Sequence, residues 1–414
     1  MDFHLYIAKK LRSGSVSLIS ERIAMVSIAI SVAVVLAAIS ISEGFKHDIC
    51  SRMAGFTGQL LLVVPGEQYT NENYPRDPRF SFSDKMAAIP GIASIDPVAY
   101  RTGVLDGGGV VQGILFKGVD STYSASFFSN LVVEGRMPDF ATAKPSDDIL
   151  ISKRIAAMLS LNEGEKVTAY FVGEKVRLRR FQICGIYDAS LEGIDERLVL
   201  VDIRHIRNLN GFKPYECSCV EIQLDNMKTD SREQDAVMEE IHELIKTSPM
   251  DAEDSSVIIR SVSELFPSIF DWLALMDLNV LVVLVLMFAV AGFNMISGLL
   301  IILFERISTI GLFKALGMRS RSVCKVFLLH SGRIVLAGMA WGNAVMLPLL
   351  LVQKYLKPLT LNPSNYFVDH VPIHLTVGMW LLVNLLCIAV MALIMLIPTA
   401  FISKVSPDRT MRVN

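Results

Sequence analysis

The sequence predicts an α-helical membrane protein with four transmembrane helices and one large α+β extracytoplasmic domain between helices 1 and 2. Three observations lead there. Residues 23–42, 278–304, 334–353 and 375–403 carry no charge, and about 20 apolar residues suffice to cross a bilayer. Residues 43–270 are a different material, with charges throughout and Pro and Gly at turn spacing. Residues 305–333 hold six basic residues and one acid, Glu305, an excess that marks a cytoplasmic segment.

Composition agrees. The chain has 414 residues and is 52% hydrophobic, with mean hydropathy +0.46. That is too apolar for a soluble enzyme and too polar for a chain wholly inside a membrane. A net charge of −2 gives no reason to expect nucleic acid. The six cysteines are scattered, and Cys217 and Cys219 are poorly placed to bond each other. Neither a disulfide framework nor a metal site is expected. The sequence lacks a Walker A loop, GxGxxG and HExxH. No catalytic residue and no bound cofactor is therefore expected, and if ATP drives the protein another chain binds it.

Residues 1–22 are amphipathic, with Phe3, Tyr6, Ile7, Lys10 and Leu11 spaced for a short helix on the inner membrane surface. Residues 23–42 form the first span; the apolar core is too long for a cleaved signal peptide. In the outer domain, 43–270, strands are expected at 59–64, 93–104, 110–119, 148–152, 167–172, 176–186, 198–202 and 219–224, the last clear one. Helices are expected at 83–89, 153–159, 203–209 and 231–246. A mobile polar loop is expected at 66–80, and Asp106-Gly107-Gly108-Gly109 reads as a hairpin turn. The strands are expected to pair by hairpins, with helices on top.

The second span, with a stalk, takes 271–304. Its charge-free part alone is about 40 Å of helix, longer than a ~30 Å membrane core. Asn294 lies near mid-membrane, where an amide faces another helix. A cytoplasmic segment follows at 305–322. Ile307, Ile310, Gly311 and Lys314 share a helix face, and Gly317 suits its C-terminal end. The third span takes 323–353, where Gly338 and Gly342 form a small-xxx-small packing face. An outside loop (354–374), a fourth span (375–403) and a basic tail (404–414) complete the chain, so both termini are cytoplasmic.

The run 305–317, ERISTIGLFKALG, resembles the segment of FtsX-like ABC-transporter permeases that docks on a separate ATPase. One helix, a large outer domain and three further helices match the MacB class of that family. Phe293-Asn294-Met295-Ile296, Leu361-Asn362-Pro363, Tyr366-Phe367, and Asp148–Ser152 with Leu161-Asn162-Glu163-Gly164-Glu165 resemble the lipoprotein-releasing permeases of LolC/LolE type.

The resemblance implies mechanical transmission in the bacterial inner membrane, with the large domain in the periplasm. Glu305, Arg306, Ile310, Gly311, Lys314, Ala315 and Gly317 would couple to a cytoplasmic ABC ATPase dimer holding ATP and Mg²⁺. A second permease subunit, membrane lipids, a lipoprotein substrate and a periplasmic chaperone are the other implied partners. Acyl chains would enter an apolar cavity for which Ile41, Phe45, Ile49 and Met53 of span one and Leu275, Leu278 and Val282 of span two are candidates. Two departures stand out. The turn at 171–176 is short where LolC-type chains carry a long chaperone hook, and His330 follows Phe327-Leu328-Leu329 where those chains have an acid or amide. MacB-like export of peptides or other amphiphiles, and FtsX-like control of a cell-wall hydrolase, stay open beside lipoprotein release.

Overall fold

In the computed structural model residues 15–404 are described, except 174, 190, 192–193, 226–230, 249–256, 306–317, 363–365 and 367. The chain divides into two compact units. One comprises residues 1–45, 273–359 and 371–414; the other comprises 46–272 and 360–370.

The first unit is helical. It contains most of α1 (Ser15–Thr57), α8 (Pro267–Glu305), α9 (Ser320–Leu356) and α10 (Val377–Lys404). All four are long and apolar enough to cross a membrane. α1 and α8 have 43 and 39 residues, so each is about 60 Å long, twice the hydrocarbon thickness. Ile28, Val32, Phe288, Met295, Met339 and Met391 belong to one core shared by all four helices.

The second unit is built on ten strands. In chain order they are β1 (Leu60–Val63), β2 (Ile92–Asp106), β3 (Val111–Val119), β4 (Val132–Gly135), β5 (Asp148–Ser152), β6 (Lys166–Phe171), β7 (Arg177–Tyr187), β8 (Leu198–Asp202), β9 (Cys219–Leu224) and β10 (Ile258–Ser261). Among them lie α2 (Ser83–Ala87), α3 (Ser126–Leu131), α4 (Lys153–Leu159), α5 (Ile203–Asn210) and α6 (Ser231–Thr247), and α7 (Val262–Leu265) follows β10.

The strand order is β10-β1-β9-β2-β3-β8-β5-β7-β4, and β6 pairs with both β2 and β7. That double pairing closes β2, β3, β8, β5, β7 and β6 into a ring. Phe116, Phe171, Phe181, Ile183, Val199 and Val201 belong to its core. Long β2 serves two neighbours: residues 92–98 pair with β9 and 99–106 with β3. A second core, with Leu62, Phe82, Met86, Ile222 and Ile241, lies around β1 and β9 with α2 and α6.

The structure corrects the expected pairing. β3–β8 and β5–β7 are parallel, so hairpins alone do not make this sheet. Strands β4 and β10 and helix α3 were not anticipated; the two strands have only four residues each, too few to show alternation. The polar loop at 66–80 makes hydrogen bonds to β2 and to the residue just before β9. Asn71 Nδ2 donates to Ser218 O at 3.3 Å, and Glu72 Oε1 accepts from Thr102 N and Oγ1 at 2.5 and 2.6 Å. The hairpin turn does form: Asp106 Oδ1 accepts from Gly108 N and Gly109 N, both glycines having positive φ.

Candidate functional site

Residues 306–317 lie outside the described residues, so Arg306, Ile310, Gly311, Lys314, Ala315 and Gly317 are not placed. Glu305 is the last residue of α8. The helices flanking that segment are placed, and their contacts show how the membrane unit is joined. Asn294 Nδ2 donates to Ser27 Oγ at 2.7 Å, so the mid-membrane amide on α8 does meet another helix. Gly338 and Gly342 both face α1. A Cβ at Gly342 would sit 2.6 Å from Ala29 O, and one at Gly338 would sit 2.9 Å from Met25 O and from Ile28 Cβ. Only glycine permits that approach.

Sequence reasoning missed a further polar node. Trp380 Nε1 donates to Asn343 Oδ1 at 2.6 Å, and Asn343 Nδ2 donates to Asn384 Oδ1 at 2.8 Å. It joins α9 to α10 at the cost of no charge. His330 is buried, with Nε2 3.1 Å from Glu21 Oε1 on α1.

The seven candidate cavity residues divide. Leu275, Leu278 and Val282 are exposed, each more than half. Ile41 is half-buried. Phe45, Ile49 and Met53 are buried. Ser42 Oγ donates to Asp277 Oδ1 at 3.2 Å, which sets α1 beside α8 at the level of Leu275 and Leu278.

The last turns of α1, from residue 46, belong to the outer unit, and an elaborate seat holds them. Phe56 is enclosed by Phe127, Phe128 and Tyr187, with ring centroids 5.1–6.2 Å away. Lys117, wholly buried on β3, donates to Phe56 O at 2.5 Å, to Glu221 Oε2 at 2.8 Å and to Tyr123 OH at 3.0 Å. Tyr100 OH donates to Glu221 Oε1 at 2.7 Å. A cation on the last carbonyls of a helix is favoured by the helix dipole. Burial is the largest influence and opposes the ammonium, but Glu221 and Tyr123 together outweigh it and hold the Lys117 pKa above its ordinary value. Arg52 Nη1 also donates to Ala189 O. The signal was present in the sequence: a lysine in the apolar run of β3 and a glutamate in that of β9. Strand alternation alone does not tell a buried ion from a solvated one.

The hairpin between β6 and β7 is short. Its Val172 and Val176 are exposed, as is Leu178 on β7, while Val172 O accepts from Arg101 Nη2 at 2.9 Å. All six cysteines are free. Among the described residues no group of His, Cys, Asp and Glu could hold a metal ion.

Comparison with known proteins gives this architecture a family. Residues 23–244 match the profile described as MacB-like periplasmic core domain, and residues 281–407 match FtsX-like permease C-terminal. The chain belongs to the FtsX-like permeases that carry a MacB-like periplasmic core domain. Within that family it is similar to the lipoprotein-releasing system transmembrane protein LolC of Neisseria meningitidis serogroup B. The two are 23% identical, with 98% of this chain and 97% of that one covered. LolC of Xylella fastidiosa is 21% identical and LolE of Haemophilus influenzae 21%, each over 98% of this chain and 97% of its own length. Among solved structures, the periplasmic region of MacB from Actinobacillus actinomycetemcomitans aligns with TM-score 0.34 and 12% identity, over 52% of this chain and 95% of that one. This membrane-spanning permease is thus of ABC-transporter type, and permease subunits of that type are non-catalytic.

Proposed function

We propose that this chain is a permease subunit that extracts lipoproteins from the outer leaflet of a bacterial inner membrane for delivery to the outer membrane. One observation carries the reading: the likeness to proteins named LolC runs over 98% of the chain, outer domain and helices together. Both termini and residues 305–317 face the cytoplasm, and the large domain faces the periplasm. A separate ATPase dimer binds ATP and Mg²⁺ and contacts Ile310, Gly311, Lys314, Ala315 and Gly317, with Glu305 and Arg306 nearer the membrane. A second permease subunit, identical or related, completes the transporter.

The physical need for ATP is plain. Each buried CH₂ leaves lipid at about 0.8 kcal/mol, so an acylated anchor does not leave unaided. The acyl cavity is drawn from Ile41, Phe45, Ile49 and Met53 with Leu275, Leu278 and Val282, the last three of which are exposed. Motion of α8 reaches the outer unit through the chain itself, and motion of α1 reaches it through the seat around Phe56. The short β6–β7 hairpin favours a second reading, export of a peptide or other amphiphile without a chaperone hook.

The test is depletion of the chain in its own cell, followed by fractionation of acylated lipoproteins. Accumulation of outer-membrane lipoproteins in the inner membrane, reproduced by Ile310→Asp, is the expected result. Normal sorting would overturn the cargo and bring export, or control of a cell-wall hydrolase, to the front; the partner that co-purifies on the outer face then separates those two.

A further inference from the structure

A pocket of about 660 Å³ opens in the outer unit beside the last turn of α1, within the ~300–1,000 Å³ typical of small-molecule sites. Four aromatic residues line it: Phe56, Tyr69, Tyr100 and Phe266. Tyr69 sits edge-on to Tyr100 and Phe266, with centroids 5.6 and 5.9 Å away. Leu115, Ile194 and Leu198 add aliphatic wall, and Thr102 and Gln112 add neutral polar groups. The space exists partly because Gly113, a strand residue that lines it, has no side chain. A Cβ at Gly113 would meet nothing within 4 Å.

Arg197 is the one charged residue among those lining the pocket, and it is exposed. Its backbone is engaged, with O accepting from Leu115 N at 2.6 Å, but no carboxylate among the described residues pairs with its guanidinium. Its sequence neighbour Glu196 pairs with Arg154 at 2.8 Å. The result is an apolar, aromatic chamber with a single unspent positive charge at its mouth.

We propose that this pocket is a binding site for a single-chain anionic amphiphile of the fatty-acid class, with the hydrocarbon chain among Phe56, Tyr69, Tyr100 and Phe266 and the carboxylate at Arg197. The proposal goes beyond the permease reading and does not depend on which cargo is moved. Its guest touches Phe56 and Thr57, the last two residues of α1, and Tyr100, which holds Glu221 against Lys117. An occupied pocket therefore bears directly on the seat of the first helix.

The test uses the full chain in lipid nanodiscs and a diazirine-bearing palmitic acid as probe, with labelled peptides mapped by mass spectrometry. Labelling of outer-domain peptides that contain Tyr69, Tyr100 or Phe266 is expected, beside the labelling of membrane helices that any lipid probe gives. Gly113→Leu fills the pocket and is expected to cut domain labelling about tenfold, with membrane-helix labelling unchanged as the internal control. Arg197→Met is expected to cut labelling by the acid about threefold and to leave labelling by the matching diazirine hexadecanol unchanged. Domain peptides that stay unlabelled in the unmodified chain overturn the site, as does labelling that Gly113→Leu leaves intact. Equal labelling by acid and alcohol, indifferent to Arg197→Met, overturns the anionic head. If an apolar peptide displaces the probe while added palmitate does not, the pocket is a protein contact and the proposal falls.

Discussion

In the outer unit the buried polar centre is an ion pair. Lys117 and Glu221 are both wholly buried, and Tyr100, Tyr123 and Phe56 O take up their remaining hydrogen bonds. In the membrane unit several contacts are neutral, Asn294 with Ser27 and Asn343 with Asn384 and Trp380, beside the buried His330–Glu21 contact. The outer domain can bury two ions because it encloses them completely, and each offsets the several kcal/mol that desolvation takes from the other. Lipid-embedded helices separate and re-form in a medium that never solvates an ion, so amides are the cheaper join and contribute little each. Stability in the outer unit is therefore concentrated at one node, and in the membrane unit it is spread along close helix packing.

The sharpest way to break this contrast is Glu221→Ala, which strands the Lys117 ammonium. A loss of about 3–5 kcal/mol is expected, read as a lowered thermal transition of the purified chain. The double variant Lys117→Met/Glu221→Leu should recover most of it, because no charge is left behind; an equal loss in both would mean that packing, not charge, holds the node.

In the membrane unit the matching test is steric. Gly342→Val drives a side chain against Ala29 O and is expected to destabilise by about 1–3 kcal/mol, while Gly332→Val on the same helix, where a Cβ meets nothing, is the control. Equal effects at the two positions would remove the close-packing account of α1 and α9.

A pH dependence sharpens the outer-unit side. Burial pushes the Asp195 carboxyl up to about 6, and Oδ2 accepts from Leu191 N at 3.0 Å. Between about pH 4 and 6 the folded chain holds a proton that the unfolded chain has released. Stability from this group thus falls as pH rises through that window, and the deficit is complete at pH 7. Asp195→Asn should be more stable than the unmodified chain by roughly 1–2 kcal/mol at pH 7, and the two should converge near pH 4. A gap of the same size at both pH values would assign the effect to something other than the proton.

The smallest effect is expected at Asn294. Asn294→Val should cost about 0.6 kcal/mol, and a double-mutant cycle with Ser27→Ala should return a coupling of that size. A coupling of several kcal/mol would place an energetic node inside the membrane after all and erase the contrast between the units.

Several features were legible without coordinates, each for a local reason. Four charge-free runs became four long helices because lipid leaves the backbone no other partner. Asn294, Gly338 and Gly342 met neighbouring helices because an amide or a bare glycine on an apolar helix has little other use. Residues 148–152 and 153–159 became β5 and α4, with Ser152 Oγ accepting from Ile155 N at 3.0 Å at the helix start. What depended on distant residues was hidden. Hydrophobic alternation says that β6 has an inward face, but not that it pairs with β2 on one side and β7 on the other. It marks Ile49 and Met53 as apolar, but not that both are wholly buried. The sequence by itself determined the span count, the intervening domain and the family, because solvent class and local patterning act within about twenty residues. Only the tertiary structure decided the ring closure, the buried Lys117–Glu221 seat and the pocket with Arg197 at its mouth, because each joins strands and turns dozens to more than a hundred residues apart, and nothing in a local window records which of them will meet.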